Sequence, residues 1–146
     1  MDTEERADAV LGIFDGSVSI VGVVFGLLIH HAARGVIGVA ALSGAVAATV
    51  SMSSGIYEAQ EGTRRRKLRD AGVMGVSTLI GSLVPAWPFF VFGRAVAIAV
   101  GSVGCLLVAC WIGWEKRAGL RGYRNSVLVL LGAVAATLLI VGWVPT

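Results

Sequence analysis

The sequence predicts an all-α integral membrane protein with five transmembrane helices, and three observations lead to this fold class. Hydrophobic residues make up 56% of the 146 residues and charged residues 14%, whereas a soluble domain carries about 25% charged residues. Five long stretches are almost free of charge, and they lack the alternation of β-barrel strands. Glycine contributes 20 residues, which favours helices that pack closely within a membrane.

Each apolar stretch is long enough to cross a bilayer, which takes about 20 residues in a helix. The first stretch contains a single charge, Asp15, and the other four stretches have uncharged centres. The segments between them are too short for a soluble domain. We therefore expect one five-helix membrane domain over residues 1–146, with approximate spans at 10–32, 35–58, 70–90, 94–114 and 125–144.

The basic residues predict the orientation of the chain. Ten of the twelve Lys and Arg residues precede span one or lie between spans two and three or four and five, and only Arg34 and Arg94 lie on the other side. The positive-inside rule then places the N-terminus in the cytoplasm and the C-terminus outside. We interpret the basic run Arg64–Arg69 as a topology determinant beside lipid headgroups, and we expect no nucleic-acid partner.

Asp15 in span one is the main candidate functional residue. A carboxylate in hydrocarbon costs roughly 2.5–3.5 kcal/mol on insertion scales, so it needs a partner, a proton, water or an ion. Helical spacing places it on a face with small or polar residues, which should pack against another helix rather than lipid: Gly12, Ser19, Gly22 and Gly26. Gly12 and Gly16, like Gly22 and Gly26, also form small-xxx-small patterns. A hydrogen-bonded structural carboxylate is the alternative interpretation of Asp15.

Met52 in span two is the second candidate. Asp15 lies about 8 Å and Met52 about 9 Å from the cytoplasmic ends of their spans, at 1.5 Å per residue. Met52 belongs to a predicted stripe of small residues on span two: Ala41, Ala45, Ala48 and Gly55. A hard carboxylate and a soft thioether at one depth could hold a borderline divalent metal such as Fe²⁺. Apolar packing is the alternative role for Met52.

Other residues mark the ends of the spans. Glu58 and Glu61 are candidates for a cation-collecting cytoplasmic mouth, or simply for a solvated helix end. His30 and His31 diverge by about 100° on a helix, so we expect them to be interfacial rather than to chelate one ion. Pro85 and Pro88 predict a helix break at the end of span three and a short outer turn.

Four motifs in this order resemble the vacuolar iron transporter family. Residues 8–16 resemble its first-helix pattern of an Asp, a Gly and an Asp-Gly pair, and residues 50–57 resemble its second-helix Ser-Met-x-x-Gly-x-Tyr segment. Residues 81–88 resemble the third-helix Gly-x-x-x-Pro-x-x-Pro, and residues 114–123 lie where the family has the loop before its last helix. The resemblance covers nearly the whole chain.

The resemblance implies a homodimer whose first helices line a pathway at the twofold axis, with Asp15 and Met52 at the family's metal-ligand positions. It also implies export of Fe²⁺, and often Mn²⁺, from the cytosol in exchange for protons. Two features depart from the family pattern. The connection Glu58–Asp70 is too short for the long metal-binding segment of many members, and Gly44 stands where such members have a Glu.

The expected function is therefore export of a divalent transition metal, Fe²⁺ or also Mn²⁺, by a homodimer without a permanently bound cofactor. The alternatives are a non-transporting membrane scaffold or sensor with the same fold, and a proton-coupled exporter of organic cations. We do not expect an enzyme, because the sequence has no nucleophile–base pair and no His-rich metal motif. The small chain without a targeting extension suggests a prokaryotic plasma membrane.

Overall fold

The computed structural model describes residues 3–115 and 119–141, which are helical apart from short connections and contain no strand. Five long helices and one short helix follow one another along the chain: α1 (Thr3–Ile29), α2 (Arg34–Ala59), α3 (Arg64–Ala86), α4 (Pro88–Val91), α5 (Arg94–Glu115) and α6 (Gly119–Val141). The all-helical class predicted from the sequence is confirmed for these residues. The predicted C-terminal end of the last span, residues 142–144, lies outside them.

Three helices within the described residues are long and apolar enough to cross a membrane: Glu5–Ile29, Arg34–Ala59 and Arg94–Trp114. They identify the chain as a membrane protein by length and composition. The described apolar part of α6 is shorter, Val127–Thr137. Helix α3 falls outside this group because its first two turns are basic and its buried face is rich in glycine, serine and threonine.

Helices α1 and α3 extend beyond the predicted membrane spans toward the basic residues, and ion pairs involve their first turns. The basic residues before Asp70 form the first turns of α3. There, Nε of Arg66 lies 3.8 Å from Oδ2 of Asp70, one helical turn further on. Arg69 forms an ion pair with Glu5, in the first turns of α1. We call this end of the bundle the basic end, comprising Glu5–Asp8 and Gln60–Asp70, and the opposite end, residues 30–34 and 87–94, the far end.

The exposed surface of the bundle is apolar, whereas much of its interior is small and polar. Many valine and leucine side chains on α2 and α5 are half or more exposed. The interior of α3 instead holds Ser77, Thr78 and Ser82, all at most 5% exposed. A soluble helix shows the reverse pattern, with its apolar face buried. This arrangement suits a bundle surrounded by lipid.

Helices α1 and α3 lie parallel and so close together that their backbones touch. A Cβ atom added at Gly81 would contact the backbone of Ile13, with 2.7 Å to its carbonyl carbon. A Cβ added at Gly16 would lie 2.9 Å from the backbone nitrogen of Ser82 and clash with the carbonyl oxygen of Thr78. Because no side chain fits in these spaces, glycine is required on both helices.

Helix α2 runs antiparallel to α1 and packs on it through the half nearest the far end. Gly44 lies opposite Ile20, whose Cδ1 atom would be 3.0 Å from an added Cβ. Ile20 and Val24 of α1 belong to a buried cluster that also contains residues of α2, α3, α4 and α5: Ile37, Ala41, Ala45, Ala86, Phe89 and Ala97. This core holds the far half of the bundle together.

The two prolines of span three lie on either side of the junction between α3 and α4. Pro85 is inside α3, which ends at Ala86, and Pro88 is the first residue of α4. Trp87 joins the two helices, and its N–H donates to the carbonyl of Leu83 at 3.0 Å. The chain therefore continues as a short helical turn at the far end before α5 begins.

Candidate intramembrane site

Asp15 lies in the middle of α1 and is half-buried. No described hydrogen bond or ion pair reaches its carboxylate, although Gly16 and Ser17, the next two residues, pack tightly against α3. The contact of α1 with α3 therefore turns Asp15 away from that helix. Its half-buried side chain is partly accessible from outside the described residues.

The predicted small face of α1 is divided among several neighbours. Gly12 faces α3, where an added Cβ would lie 2.9 Å from the carbonyl oxygen of Met74. Gly22 faces α6, where an added Cβ would lie 3.3 Å from the hydroxyl oxygen of Thr137. Between these two contacts Asp15 is half-buried and Ser19 is exposed, while Gly26 is half-buried further along. The face thus leaves an opening beside Asp15 and Ser19.

The register of α1 and α2 places Met52 near the level of Asp15. Gly44 lies opposite Ile20 and Val23, and in an antiparallel pair each step toward the basic end along α2 matches one step back along α1. Met52, eight residues after Gly44, then lies level with the segment 12–15 of α1. Met52 is half-buried at this level.

Gly55 and Gly44 have different surroundings on α2. Gly55 is exposed, and an added Cβ would meet nothing within 4 Å in the described chain, so no close helix contact depends on it there. Gly44 faces the side chain of Ile20. The described site therefore contains one carboxylate at this depth, that of Asp15.

Hydroxyl groups surround the same level on α2 and α3. Thr49 donates to the carbonyl of Ala45 at 2.8 Å, and Thr78 donates to the carbonyl of Met74 at 2.8 Å. Gly75 accommodates α2, because an added Cβ would contact the Ser53 side chain. Since Thr49 and Thr78 satisfy their own helices, their oxygens keep acceptor capacity but have no proton to donate elsewhere.

One contact between α1 and α3 was not predicted from the sequence. The hydroxyl oxygen of Ser17 lies 2.8 Å from the carbonyl oxygen of Ile13 and 2.9 Å from that of Gly81, so one proton is shared between two acceptors. In a regular helix the Gly81 carbonyl would accept from the N–H of residue 85. Proline has no N–H at that position, and Ser17 replaces the missing donor. The available signal was a proline four residues after a glycine, but its partner depends on the register of α1 with α3.

The basic end contains acidic residues that the sequence interpretation did not single out. Glu5 is 2% exposed and accepts from Nη2 of Arg69 at 3.0 Å, while Asp70 is 5% exposed beside Arg66. The predicted mouth residues Glu58 and Glu61 are both exposed. Glu61 lines a shallow hollow together with Gln60 and with residues of α1 and α3: Ala7, Asp8 and Arg66.

The far end holds the two histidines, both exposed. His31 adopts a left-handed backbone conformation, with φ of 54°. Its N–H donates to the carbonyl of Leu28 at 3.1 Å, and the N–H of Ala32 donates to that of Leu27 at 3.1 Å, which closes α1 as a Schellman-type cap. Arg94 also donates to the Leu28 carbonyl, at 2.9 Å. The histidines thus lie in the C-terminal cap of α1.

An apolar cavity of about 200 Å³ lies between α1, α5 and α6 in the far half of the bundle. Its walls are almost entirely hydrocarbon, and they include Phe25, Phe89 and Cys105. Such a lining suits an alkyl or aromatic group rather than a metal ion. Within residues 3–115 and 119–141, no group of three or more His, Cys, Asp or Glu residues could hold a metal ion.

Comparisons of the chain with protein families, with curated proteins and with solved structures found no match.

Proposed function

We propose that the chain is a transporter that exports a divalent transition metal, Fe²⁺ or also Mn²⁺, across a membrane. The observation that carries this proposal is Asp15, a half-buried carboxylate in the middle of an apolar helix with no bonding partner in the described chain. Because such a group is costly in hydrocarbon, its retention favours a cation or proton as its ligand. The choice of Fe²⁺ or Mn²⁺ as the cation rests on the resemblance of four sequence motifs to the vacuolar iron transporter family.

In this proposal α3 and α6 also cross the membrane, giving five spans with the basic end in the cytoplasm. Exposed Val76 and Ile80 on α3, at 61% and 53%, support a lipid-facing helix despite the polar residues on its buried side. Arg64–Arg69 at one end and only Arg34 and Arg94 at the other support this orientation. A prokaryotic plasma membrane is the proposed location.

The functional unit in this proposal is a homodimer. In one protomer a second copy has room beside Asp15 and Ser19, in the opening between α2 and α6. Covering that opening would remove the carboxylate from lipid, which offsets part of its insertion cost. Two copies of Asp15 and Met52 would then offer four ligands, two hard oxygen groups and two soft sulfurs, to a borderline divalent ion.

Exchange for protons follows from the charge of this paired site. Two facing carboxylates repel each other, and either a bound proton or a divalent cation relieves the repulsion. A metal ion that arrives from the basic end, past Glu58 and Glu61, would displace the proton as it binds. Release at the far end would be followed by reprotonation of Asp15. Metal export and proton uptake are thereby linked through one residue.

The test is metal flux in liposomes that contain the purified protein, with a fluorescent divalent-ion indicator inside. Asp15→Asn should reduce Fe²⁺ flux at least tenfold, because the substitution removes the charge and keeps the shape. Met52→Leu should reduce it less and change the ratio of Fe²⁺ to Mn²⁺ flux, because Mn²⁺ depends less on a sulfur ligand. The matched controls are Asp70→Asn, a buried acid outside the site, and Met74→Leu, a buried methionine of α3.

The outcomes separate the possible functions. Wild-type flux that persists unchanged in both Asp15→Asn and Met52→Leu would contradict the site. Absence of flux of any divalent ion in folded wild-type protein would contradict metal transport and favour a scaffold or sensor.

A second candidate function is proton-coupled export of an organic cation, which the apolar cavity beside Phe25 and Phe89 favours. An aromatic face attracts cations, and a hydrocarbon wall accommodates their apolar parts. A small aromatic cation would then compete with protons at Asp15, and Fe²⁺ would not. Enlarging Ser102, which lines the cavity, by Ser102→Phe should block such transport and leave metal flux unchanged.

A further inference from the structure

The exposed side of α3 changes from basic to apolar along a single ridge. Residues four apart are neighbours on a helix surface and form a row that winds slowly around the helix axis. Five residues so spaced on α3 are all exposed: Arg64, Leu68, Gly72, Val76 and Ile80. We call this set the α3 ridge. Leu68 is 55% exposed although it stands among five cationic residues. Exposed leucine beside exposed arginine is a combination that neither water nor hydrocarbon alone accommodates well.

In the described part of the chain, three of the five basic side chains between residues 64 and 69 interact with other side chains, and two do not. Arg69 pairs with Glu5, Arg66 with Asp70, and the ammonium of Lys67 lies 5.6 Å from the centre of the Tyr57 ring. No described hydrogen bond or ion pair involves Arg64 or Arg65. These two exposed guanidinium groups keep all their donors for an external anion, and the planar donor fork of arginine fits phosphate oxygens.

The apolar part of the ridge has the length of one lipid leaflet. Twelve residues separate Leu68 from Ile80, which is about 18 Å of helix, and half of the hydrocarbon core of a bilayer measures about 15 Å. Gly72 lies within this stretch, and an added Cβ there would meet nothing within 4 Å. The missing side chain leaves a shallow depression in the ridge against which a hydrocarbon chain can lie.

We propose that the α3 ridge binds an anionic phospholipid of the adjoining leaflet. The phosphate binds to Arg64 and Arg65, and one acyl chain lies along Leu68, Gly72, Val76 and Ile80. Charge complementarity selects the headgroup, and the continuous apolar surface selects a lipid over a nucleic acid or an acidic protein. The proposal requires that the chain lies in a membrane, and it is independent of transport.

The experiment is native mass spectrometry of the purified protein in detergent, with equal amounts of phosphatidylglycerol and phosphatidylcholine that carry the same acyl chains. Wild type should retain phosphatidylglycerol in preference. An arginine near a phosphate contributes about a fivefold gain in affinity, so Arg64→Gln/Arg65→Gln should weaken phosphatidylglycerol binding roughly thirtyfold. Binding of phosphatidylcholine should not change.

A matched control keeps the change in net charge the same. Arg124→Gln removes one exposed arginine from α6, and its effect is compared with that of Arg64→Gln alone. Only Arg64→Gln should reduce the preference. Val76→Ser tests the hydrocarbon part, because it should shorten retention of either lipid and leave the preference between headgroups unchanged. All these positions are exposed, and the unfolding temperature of each variant verifies that it is folded.

Three results would overturn the proposal. The first is equal retention of the two lipids by wild type. The second is a phosphatidylglycerol preference that survives in Arg64→Gln/Arg65→Gln. The third is binding of soluble glycerophosphate, or of a short oligonucleotide, as tightly as the lipid, because the apolar ridge would then play no part and the partner would be a soluble anion.

Discussion

Pro85 lies in α3, but it affects a hydrogen bond made by α1. Its ring removes the donor for the Gly81 carbonyl, and the hydroxyl of Ser17 occupies that acceptor at 2.9 Å. Both groups are buried, so neither has water as an alternative partner. The contact between α1 and α3 therefore includes a hydrogen bond to a carbonyl that Pro85 leaves without its regular helical donor.

This relation predicts a non-additive pair of substitutions. Ser17→Ala should lower the free energy of unfolding by about 1–3 kcal/mol, because the Gly81 carbonyl is left buried without a donor. Pro85→Ala restores an N–H at position 85, so Ser17→Ala should cost much less in that background. Unfolding of the four proteins in detergent micelles gives the coupling energy, expected at about 0.5–3 kcal/mol.

An equal cost of Ser17→Ala in both backgrounds would show that the hydroxyl acts on Ile13 of its own helix alone. Thr137→Val serves as a control, since the Thr137 hydroxyl donates to the Ala133 carbonyl of its own helix at 2.9 Å. Its cost should be independent of residue 85.

At the scale of single residues, the sequence identifies Asp15 as a candidate but does not predict its surroundings. A lone charge in an apolar stretch is visible without coordinates, because its cost does not depend on neighbours. Whether Met52 faces that carboxylate depends on the rotation of α2, which a uniformly small and apolar helix leaves undetermined. For the same reason the donor to Gly81 could not be assigned to Ser17.

At the scale of helices, the pairing of α1 with α3 rests on glycines that differ greatly in their tolerance of a side chain. Gly81 touches the backbone of Ile13, whereas Gly72 on the same helix has open space around it. Backbone atoms cannot move aside as the end of a flexible side chain can. The two glycines therefore form a matched pair for substitution.

Gly81→Ala should destabilise the protein by about 1–3 kcal/mol or more, because the methyl group forces α1 and α3 apart. Gly72→Ala should be neutral or stabilising by up to about 1 kcal/mol, because alanine is the better helix former. Thermal unfolding in detergent, monitored by circular dichroism, measures both. Similar unfolding temperatures for the two variants would contradict the close approach.

The helix boundaries show where sequence patterns were informative and where they were not. The bounds of α2, Arg34–Ala59, nearly coincide with the predicted span, because its apolar stretch ends where its helix ends. Helix α3 begins at Arg64, before the predicted membrane span, and two of the basic residues in these first turns form ion pairs with Glu5 and Asp70. Hydropathy measures where lipid ends, and a helix can continue beyond it.

At the scale of the whole molecule, the apolar exterior and the small, polar interior follow from the solvent. Lipid is as apolar as leucine, so leucine and valine gain little from burial, and close packing of small residues contributes more. Three helices meet the length and hydropathy requirement for spanning within the described residues. Helix α3 also exposes apolar side chains, Val76 and Ile80, although its mean composition is too polar to meet that hydropathy requirement.

The proposed topology predicts which connections react from which side of the membrane. In a protein without Cys105 and Cys110, Glu61→Cys should react with a membrane-impermeant maleimide only from the cytoplasmic side. His30→Cys should react only from the outside, and Val50→Cys, exposed on the apolar surface of α2, should react from neither side. Labelling in intact cells and in inverted vesicles makes the comparison. The two positions flank α2, so reaction of Glu61→Cys and His30→Cys from the same side would show that α2 does not cross the membrane.

The glycine contacts between α1 and α3 also limit how the molecule can move. Backbone atoms of α1 fit into the gaps left by the glycines of α3, and the reverse is also true. Sliding one helix along the other by a single residue, about 1.5 Å, would bring backbone atoms into collision. The two helices must then travel as one rigid body. If access to Asp15 alternates between the two ends, the movement has to occur on the opposite side of α1, where Ser19 is uncovered and the neighbours present side chains rather than backbone.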